Sequence, residues 1–403
     1  MKGLTIKIQT LLICGVLITG LFSSCASDEN IDNGNKVNAG DKVLTLTLNT
    51  PKATTTSGAK TRVTNMTGTN ATEDQINLVT IGIFSSDGNT VRTIQELGPS
   101  ATAGVTNTFN TVTGTTTATL VTNSLTSTDI IRVAVNAPIG TFSGCTKMSE
   151  FEAKTADLTV ALATPKNGTI GTAEATDNIL MYGTGTVSPP TSGTAYTSNV
   201  QVQHQLAKVT LSSVTVAFDQ TGPYMSATFK PTSFFLINVP NDLKFNTAAW
   251  SGSSTMWQGY DNTVGTYKEY LGTGAITSSV LKIGGTTSVT PGNVFYTMPN
   301  SDATNNTKLV IGGDFSSDGV STATTVYYPI NINWVYDSST KTSSAAQSGT
   351  DPKKVYPNRN YKCAVTIKTK GATTPNDNLE PEVVSVTVTV SPFTDVTQNT
   401  SFE

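Results

Sequence analysis

Histidine and cysteine are scarce in this sequence of 403 residues, which has 1 histidine and 4 cysteines. A catalytic triad or a Cys–His pair needs a histidine placed as general base, and His204 stands between two glutamines in a predicted strand, outside any such motif. A zinc site needs several histidine or cysteine ligands, and too few remain once the N-terminal cysteines are assigned as below. We therefore predict no catalytic residue and no metal site, and interpret His204 as a surface or a satisfied strand histidine.

Charged residues are also few, at 13% of the chain, and the net charge is a small −3. No basic patch, no phosphate-cradling glycine-rich loop and no dinucleotide-binding fingerprint is visible in the sequence. We therefore predict no nucleic-acid partner, no cofactor and no enzymatic activity. Carboxylates are scattered along the chain, so a glycosidase with paired acids stays open as an alternative.

Long apolar runs are missing except near the N-terminus. Two lysines precede the apolar run Leu11–Phe22, and the small residues Ser23 and Ser24 then lead to Cys25. This order is typical of a secretory signal peptide, and the run is too short for a mature membrane span. We predict a signal peptide over residues 1–24 and lipidation of Cys25. The alternative is an ordinary signal peptide followed by an unrelated cysteine.

Two cysteines remain beyond this segment, Cys145 and Cys363. They are far apart in the sequence and we place them in different domains, so we expect no disulfide framework even in an oxidising compartment. We expect two buried free thiols, and the sequence leaves their oxidation state open.

Alternating hydrophobic residues predict strands through most of the chain. The predicted strands are 42–50, 78–84, 91–94, 117–121, 130–136, 200–218, 233–239, 293–298, 308–311, 325–334, 360–369 and 383–390. One short helix is predicted over 147–154, with Thr146 as its N-cap. Asp87-Gly88 predicts a hairpin turn, and the motif that contains it, Phe84–Gly88, recurs as Phe315–Gly319. Many short strands and one helix indicate an all-β fold made of sandwiches.

A segment rich in proline, glycine, serine and threonine, residues 184–199, predicts a boundary between two domains. We expect an N-terminal β-sandwich domain over 63–195 and a C-terminal one over 196–403, preceded by a segment over 25–62. The alternating stretch 200–218 is expected to open the second domain.

The first and last predicted strands carry the most informative pattern. The apolar residues that share one face are Leu44, Leu46 and Leu48 in the first strand, and Val384, Val386, Val388 and Val390 in the last. A half-buried terminal strand can complete its own sheet or the sheet of a neighbouring molecule. Either strand is therefore a candidate for exchange between molecules.

The polar stretch Thr54–Thr72 follows the first strand and lacks hydrophobic periodicity. Loops of small polar residues are preferred sites of proteolysis. The stretch contains Lys60 and Arg62, and Arg62 fits a trypsin-like processing site. The alternative is an ordinary basic residue in a loop.

Three further segments resemble a known family. They are NILMYGTGTV at 178–187, HQLAKVTLSSVTV at 204–216, and VYPNRNYKCAVTI at 355–367, which leads into the valine-rich last strand and Phe393. In their order and spacing they resemble the fimbrillins that build type V pili in Bacteroidales, and the resemblance covers essentially the whole chain after the signal peptide. It implies two tandem transthyretin-like β-sandwich domains of the seven-stranded type, with a short helix.

The resemblance also implies a mechanism of assembly. The subunit would be exported as an outer-membrane lipoprotein, and an Arg-specific protease would cut after Arg62, with Lys60 beside it. The first strand, with its three leucines, would then leave, and the C-terminal region with its four valines would serve as donor strand for another copy or a related pilin. The product would be a cell-surface fimbrium that supports adhesion.

Other interpretations stay open. A tip adhesin of the same pilus fits the same resemblance. A surface glycan-binding lipoprotein could use the aromatic residues Trp250, Trp257 and Tyr260, although core packing also explains them. Asp314 with Asp318, or Asp377 with Asn376 and Asn378, could in principle hold Ca²⁺, and turns and loops explain them better.

Overall fold

A computed structural model of the chain describes residues 42–49, 73–74, 76–97, 115–122, 124–157, 179–191, 195–246, 256–260, 271–272, 279–302, 304–337, 339–379 and 384–392. Regular structure in these residues is nearly all β-strand, with one short helix. This confirms the predicted all-β class.

The first half of the chain forms one 7-stranded sheet, in the order β3-β2-β5-β7-β8-β1-β4. Its elements are β1 (Lys42–Asn49), β2 (Val79–Phe84), β3 (Val91–Leu97), β4 (Thr115–Thr122), β5 (Ile130–Val135), α1 (Met148–Glu152), β6 (Thr155–Asp157), β7 (Met181–Thr186) and β8 (Ala195–His204), of which α1 and β6 lie outside the sheet. Three strands separate β2 from β1 in the sheet, yet Ile81 of β2 and Leu46 of β1 belong to one buried cluster. The two ends of the sheet therefore face each other. The sheet therefore closes into a sandwich around its own core.

Two glycines of β7 allow this closure. A Cβ atom on Gly183 would lie 2.7 Å from the Gln201 carbonyl oxygen, and one on Gly185 would lie 2.6 Å from a Val200 methyl carbon. Gly183 would meet a backbone atom of β8 and Gly185 a side chain of β8, so neither position has room for a Cβ atom beside this strand.

The second half forms two sheets that enclose a larger core. Its strands are β9 (Ala207–Val216), β10 (Thr228–Val239), β11 (Asp242–Lys244), β12 (Trp257–Gln258), β13 (Leu271–Gly272), β14 (Leu281–Lys282), β15 (Ser288–Val289), β16 (Asn293–Thr297), β17 (Lys308–Ser316), β18 (Thr324–Asn331), β19 (Val335–Asp337), β20 (Thr342–Ser344), β21 (Arg359–Ile367) and β22 (Val384–Pro392). One sheet has the order β12-β10-β17-β18 with β13 and β14 also on β10, and the other has the order β15-β9-β21-β22 with β16 also on β9. β19 and β20 pair in a separate two-stranded sheet.

The two halves are packed together. β6 of the first half pairs with β11 of the second. The ring of Phe142 stacks on Phe151 with 3.9 Å between centroids and lies 5.3 Å from the ring of Phe245 in the second half. These contacts continue the core of the second half under α1.

The predicted strand 200–218 is wrong in one respect, because it is two strands in two sheets. β8 ends at His204 and pairs with β7 and β1, whereas β9 begins at Ala207. Every second residue is buried through Val202, His204 and Leu206, although Gln205 is buried as well, so the sequence pattern hides the break. On this evidence we propose the domain boundary at Gln205–Leu206, ten residues beyond the expected position at 195/196.

The predicted helix is present but shorter, and its expected cap is wrong. The N-cap is Lys147, which makes no side-chain cap hydrogen bond. Thr146 instead donates its backbone N–H and its hydroxyl to Glu150 Oε2, at 2.7 and 3.0 Å. Phe151 is buried toward the core, as the spacing predicts. Among the residues with described positions, no helix is long and apolar enough to cross a membrane.

Candidate functional site: the groove that holds β1

β1 lies between two strands that come later in the chain. It pairs antiparallel with β4, where Leu46 is opposite Ala118, and parallel with β8, where Leu46 is opposite Ser198. We call the space between β4 and β8 the β1 groove. In the described part of the chain β1 is the strand that joins β4 to the sheet, so its removal would leave both neighbours with an unpaired edge.

The floor of the β1 groove is apolar. Leu44, Leu46 and Leu48 of β1 are each 0% exposed and belong to one buried cluster with Ile81 and Val133 of other strands, whereas the residues between the leucines are half-buried. Burial of one leucine side chain stabilises a fold by about 1.5–3 kcal/mol. The three leucines together therefore stabilise β1 in the groove by several kcal/mol, and the floor beneath them is exposed to water if β1 leaves.

Polar contacts fix both ends of β1. At the first end, Lys42 Nζ donates to the Leu125 carbonyl oxygen at 3.1 Å and to the Tyr196 hydroxyl at 3.3 Å, and it lies 5.3 Å from the centroid of the Tyr196 ring. At the other end, Gln201 Nε2 donates to the Asn49 carbonyl oxygen at 3.0 Å. These contacts hold β1 in one register relative to β4 and β8. The leucines require the same register, because a shift by one residue would turn them out of the core.

The residues predicted for export and processing lie outside the described residues. These are Cys25 with the signal peptide, and Lys60 and Arg62 in the segment that connects β1 to Glu73. Lipidation of Cys25 and cleavage at Arg62 therefore stay predictions.

The predicted donor strand is β22, the last strand of its sheet. It pairs antiparallel with β21, and this places Val384, Val386, Val388 and Val390 opposite Ile367, Val365, Cys363 and Tyr361. These four partners on β21 are buried, with at most 1% exposure. In this structure β22 completes its own sheet, so donation by β22 would require it to leave β21. The tail 393–403, with Phe393, lies outside the described residues.

The carboxylates considered for Ca²⁺ serve turns and neighbouring groups. The Ser321 hydroxyl and the backbone N–H groups of Ser321 and Val320 donate to Asp318, and they hold the pKa of Asp318 well below its usual value. Asn378, next to Asp377, accepts a hydrogen bond from Lys308 Nζ at 2.8 Å. No group of three or more potential metal ligands lies together among the residues with described positions.

The aromatic cluster considered for glycan binding is used largely in packing. Trp257 is 6% exposed and belongs to the core of the second half. Tyr260 is partly exposed, its ring lies 6.1 Å from that of Phe235, and its hydroxyl accepts from Asn376 Nδ2 at 2.7 Å. Trp250 lies outside the described residues.

His204 and the two cysteines behave much as expected. His204 is fully buried at the end of β8, with Nε2 at 3.0 Å from the Glu73 carbonyl oxygen and Nδ1 at 3.2 Å from Asn358 Oδ1. Cys145 and Cys363 are free thiols. Cys363 is buried, and burial raises the pKa of its thiol to about 12. Cys145 is only half-buried, so the expectation of a buried thiol is wrong for this residue.

Sequence reasoning missed the polar contacts that β1 itself makes and the residues that shape the β1 groove from outside it. Lys42 is a single lysine at the start of a strand and gives no signal of its contact with Tyr196. No strand was predicted over Met181–Thr186, but the spacing Gly183-x-Gly185 was a signal, since isolated glycines in strands mark close approach of a second backbone.

No protein-family model and no curated protein matches this sequence significantly. Solved structures do match its fold. A candidate cell adhesion protein from Parabacteroides distasonis ATCC 8503 is similar with a TM-score of 0.58 at 14% identity, covering 89% of this chain and 99% of its own. A second, from Bacteroides eggerthii DSM 20697, has a TM-score of 0.53 at 19% identity, covering 89% of this chain and 98% of its own.

A fimbrilin from Porphyromonas gingivalis W83 is also similar, with a TM-score of 0.51 at 17% identity, covering 89% of this chain and 99% of its own. Similarity at such low identity establishes the fold over nearly the whole length of these proteins. The chain therefore has the fimbrilin-like β-sandwich fold of these Bacteroidales fimbrial and cell adhesion proteins.

Proposed function

We propose that this protein is a structural pilin, the shaft subunit of a cell-surface fimbrium that supports adhesion. It is exported as a lipoprotein through Cys25, cut after Arg62, and polymerised with other copies or related pilins by exchange of strands. The observation that carries the proposal is the β1 groove. β1 has an apolar face and lies between β8 and β4 in its sheet. A long polar segment that holds Lys60 and Arg62 joins it to the rest of the chain.

The energetics of the β1 groove support exchange. An emptied groove exposes the floor that covered three leucines, and it leaves β4 and β8 with unpaired backbone groups. A donor strand covers the floor and pairs these backbone groups again when it runs parallel to β8 and antiparallel to β4, with apolar residues at every second position. Since each subunit then supplies one strand and one groove, the contact is head-to-tail and propagates a filament.

The fimbrilin-like fold favours a non-enzymatic role of this kind, since the neighbours named above are fimbrial or cell adhesion proteins. The outer-membrane lipid anchor would hold the precursor before the cut, and an Arg-specific protease would release it. A tip adhesin of the same pilus is the second candidate from the sequence, and it shares the fold and the groove. The glycan-binding alternative is weakened because Trp257 is buried in the core.

The test is limited trypsin digestion of the protein that lacks residues 1–25, followed by mass spectrometry and electron microscopy. We expect one early cut after Lys60 or Arg62, release of the peptide that contains β1, and fibres. The matched control is the triple variant Lys52→Gln/Lys60→Gln/Arg62→Gln, which removes all three trypsin sites between β1 and Glu73 and should stay uncut there and monomeric. A cut protein that loses β1 and nevertheless stays monomeric would contradict the shaft role.

A second experiment assigns the donor. Chains that end at Pro392 or at Val383 separate β22 from the tail 393–403. If β22 is the donor, the chain that ends at Pro392 forms fibres and the chain that ends at Val383 does not. If the tail is the donor, neither forms fibres, and the uncut chain that ends at Pro392 remains as stable as the full-length protein.

A further inference from the structure

Two oppositely charged residues, Glu73 and Lys208, are buried together where the two halves of the molecule meet. Glu73 is 6% exposed and Lys208 is 5% exposed. Lys208 Nζ donates to Glu73 Oε1 at 2.6 Å, and the Tyr296 hydroxyl donates to the same oxygen. Burial of charges is costly unless they are paired and hydrogen-bonded, as they are here, and removal of one partner is strongly destabilising.

The groups around Glu73 come from three strands in both halves. Lys208 of β9 and Tyr296 of β16 are directly opposite each other in register. His204, the last residue of β8, places Nε2 at 3.0 Å from the Glu73 carbonyl oxygen and at 3.1 Å from Asp74 Oδ1. We call Glu73, Lys208, Tyr296 and His204 the Glu73 cluster. It ties the chain just before β2 to the first strands of the second half.

The Glu73 cluster lies on the retained side of the proposed cut. Glu73 is the first described residue after the segment that contains Lys60 and Arg62, and the other three members come much later in the chain. β1 pairs with β4 and β8. Cleavage after Arg62 thus separates β1 from the cluster while all four members stay in one chain.

We propose that the Glu73 cluster anchors the processed subunit. It holds the new N-terminal part of the chain on β8, β9 and β16, so the residues that lead into β2 stay in place when β1 leaves. Ile76 follows Asp74 in the chain and is 4% exposed, and it then keeps its place in the core of the first half. The proposal rests on the processing step proposed above but not on polymerisation. It assigns Glu73 and Lys208 as positioning residues.

Hydrogen–deuterium exchange tests this anchor. Exchange is measured in peptides over 73–84 of the protein that lacks residues 1–25, before and after trypsin cleavage. In the unsubstituted protein we expect the same exchange in both states. In Lys208→Met the methionine keeps the length of the side chain and removes the charge, and exchange of the cut protein should be at least about tenfold faster. The matched control is Lys354→Met, which removes the exposed pair with Asp351 and should change nothing over 73–84.

Tyr296→Phe is the second variant, and it serves if Lys208→Met does not fold. It removes one hydroxyl donor to Glu73, and we expect about threefold faster exchange over 73–84 after the cut. The proposal is overturned if the cut variant that folds protects 73–84 as well as the unsubstituted protein does. It is also overturned if the cut alone loosens these residues in the unsubstituted protein, even when fibres form. Retention of the β1 peptide, measured by mass in the same sample, would instead count against the proposed function.

Discussion

β1 and β9 occupy similar positions in the two halves of the molecule. β1 has β4 as its antiparallel neighbour and β8 as its parallel neighbour. β9 has β16 as an antiparallel neighbour and β21 as its parallel neighbour. Each strand therefore holds together the two strands beside it, and loss of either would open a sheet.

The two strands differ in how they are connected and buried. β9 follows β8 after two residues, Gln205 and Leu206, and its first three residues are all buried. β1 is connected to Glu73 through the polar segment 50–72, and its burial alternates along the strand. The long polar connection would let β1 leave its sheet once it is cut as proposed above, whereas the two-residue connection to β8 would hold β9 in place. The length of the connecting segment therefore distinguishes β1 from β9, although the two strands are paired in the same way.

The largest expected effect comes from core substitutions in both strands. Leu46→Ala and Leu211→Ala should each lower the free energy of unfolding of the uncut protein by about 2–5 kcal/mol, because both side chains are fully buried. After the loop is cut and β1 is removed, the effect of Leu46→Ala should vanish and that of Leu211→Ala should remain. Urea unfolding followed by circular dichroism measures both. A Leu46→Ala effect that survives removal of the β1 peptide would contradict the comparison.

A smaller effect is expected from Gly183→Ala, which acts on the wall of the β1 groove. The added Cβ would lie 2.7 Å from the Gln201 carbonyl oxygen, a backbone atom that cannot move aside, so we expect a loss of about 1–3 kcal/mol. Amide exchange should accelerate in β1 and stay unchanged in β9. Thr184→Ala, at the exposed neighbouring position, is the control and should change stability by less than about 0.5 kcal/mol. Equal acceleration in β1 and β9 would show that the groove is not affected selectively.

The contact of Lys42 with Tyr196 offers a third test. Lys42→Met removes a half-buried donor to Leu125 and Tyr196 and should weaken the seating of β1 by about 1 kcal/mol. Exchange over 42–49 should increase, while exchange over 207–216 should not. Lys42→Arg keeps a donor and a cation over the ring, and should restore most of the protection. If methionine and arginine behave alike, the contact does not hold β1.

The smallest effect concerns pH and the two related hairpin turns. The Ser85 hydroxyl and the Asn89 backbone N–H lower the pKa of Asp87 to about 2 from 3.8, and similar donors lower the pKa of Asp318. Because the folded-state pKa is depressed, the stabilisation is present above pH 3.8 and is lost as the pH falls toward about 2. Asp87→Asn should therefore lower the melting temperature slightly near neutral pH and much less near pH 2. Asp318→Asn should behave in the same way, and a difference that grows in acid would contradict this assignment.

The strands of both halves could be predicted from the sequence because a strand that is buried on one face repeats every two residues. Leu44, Leu46 and Leu48 were expected on one face, and all three are buried. The hairpin after Phe84 was also predictable, since Gly88 supplies the positive φ of 72° that the turn requires. These features depend on a few consecutive residues.

The sequence by itself determined the class of the fold, the positions of most strands, the polar segment after β1 and the scarcity of groups for catalysis. Only the tertiary structure decided which strands are neighbours, that β8 belongs to the first sheet, and that Glu73 pairs with Lys208. Alternation shows which face of a strand is buried but not which strand lies beside it. Glu73 and Lys208 are 135 positions apart in the chain, and no local pattern links residues that meet only when both halves have folded.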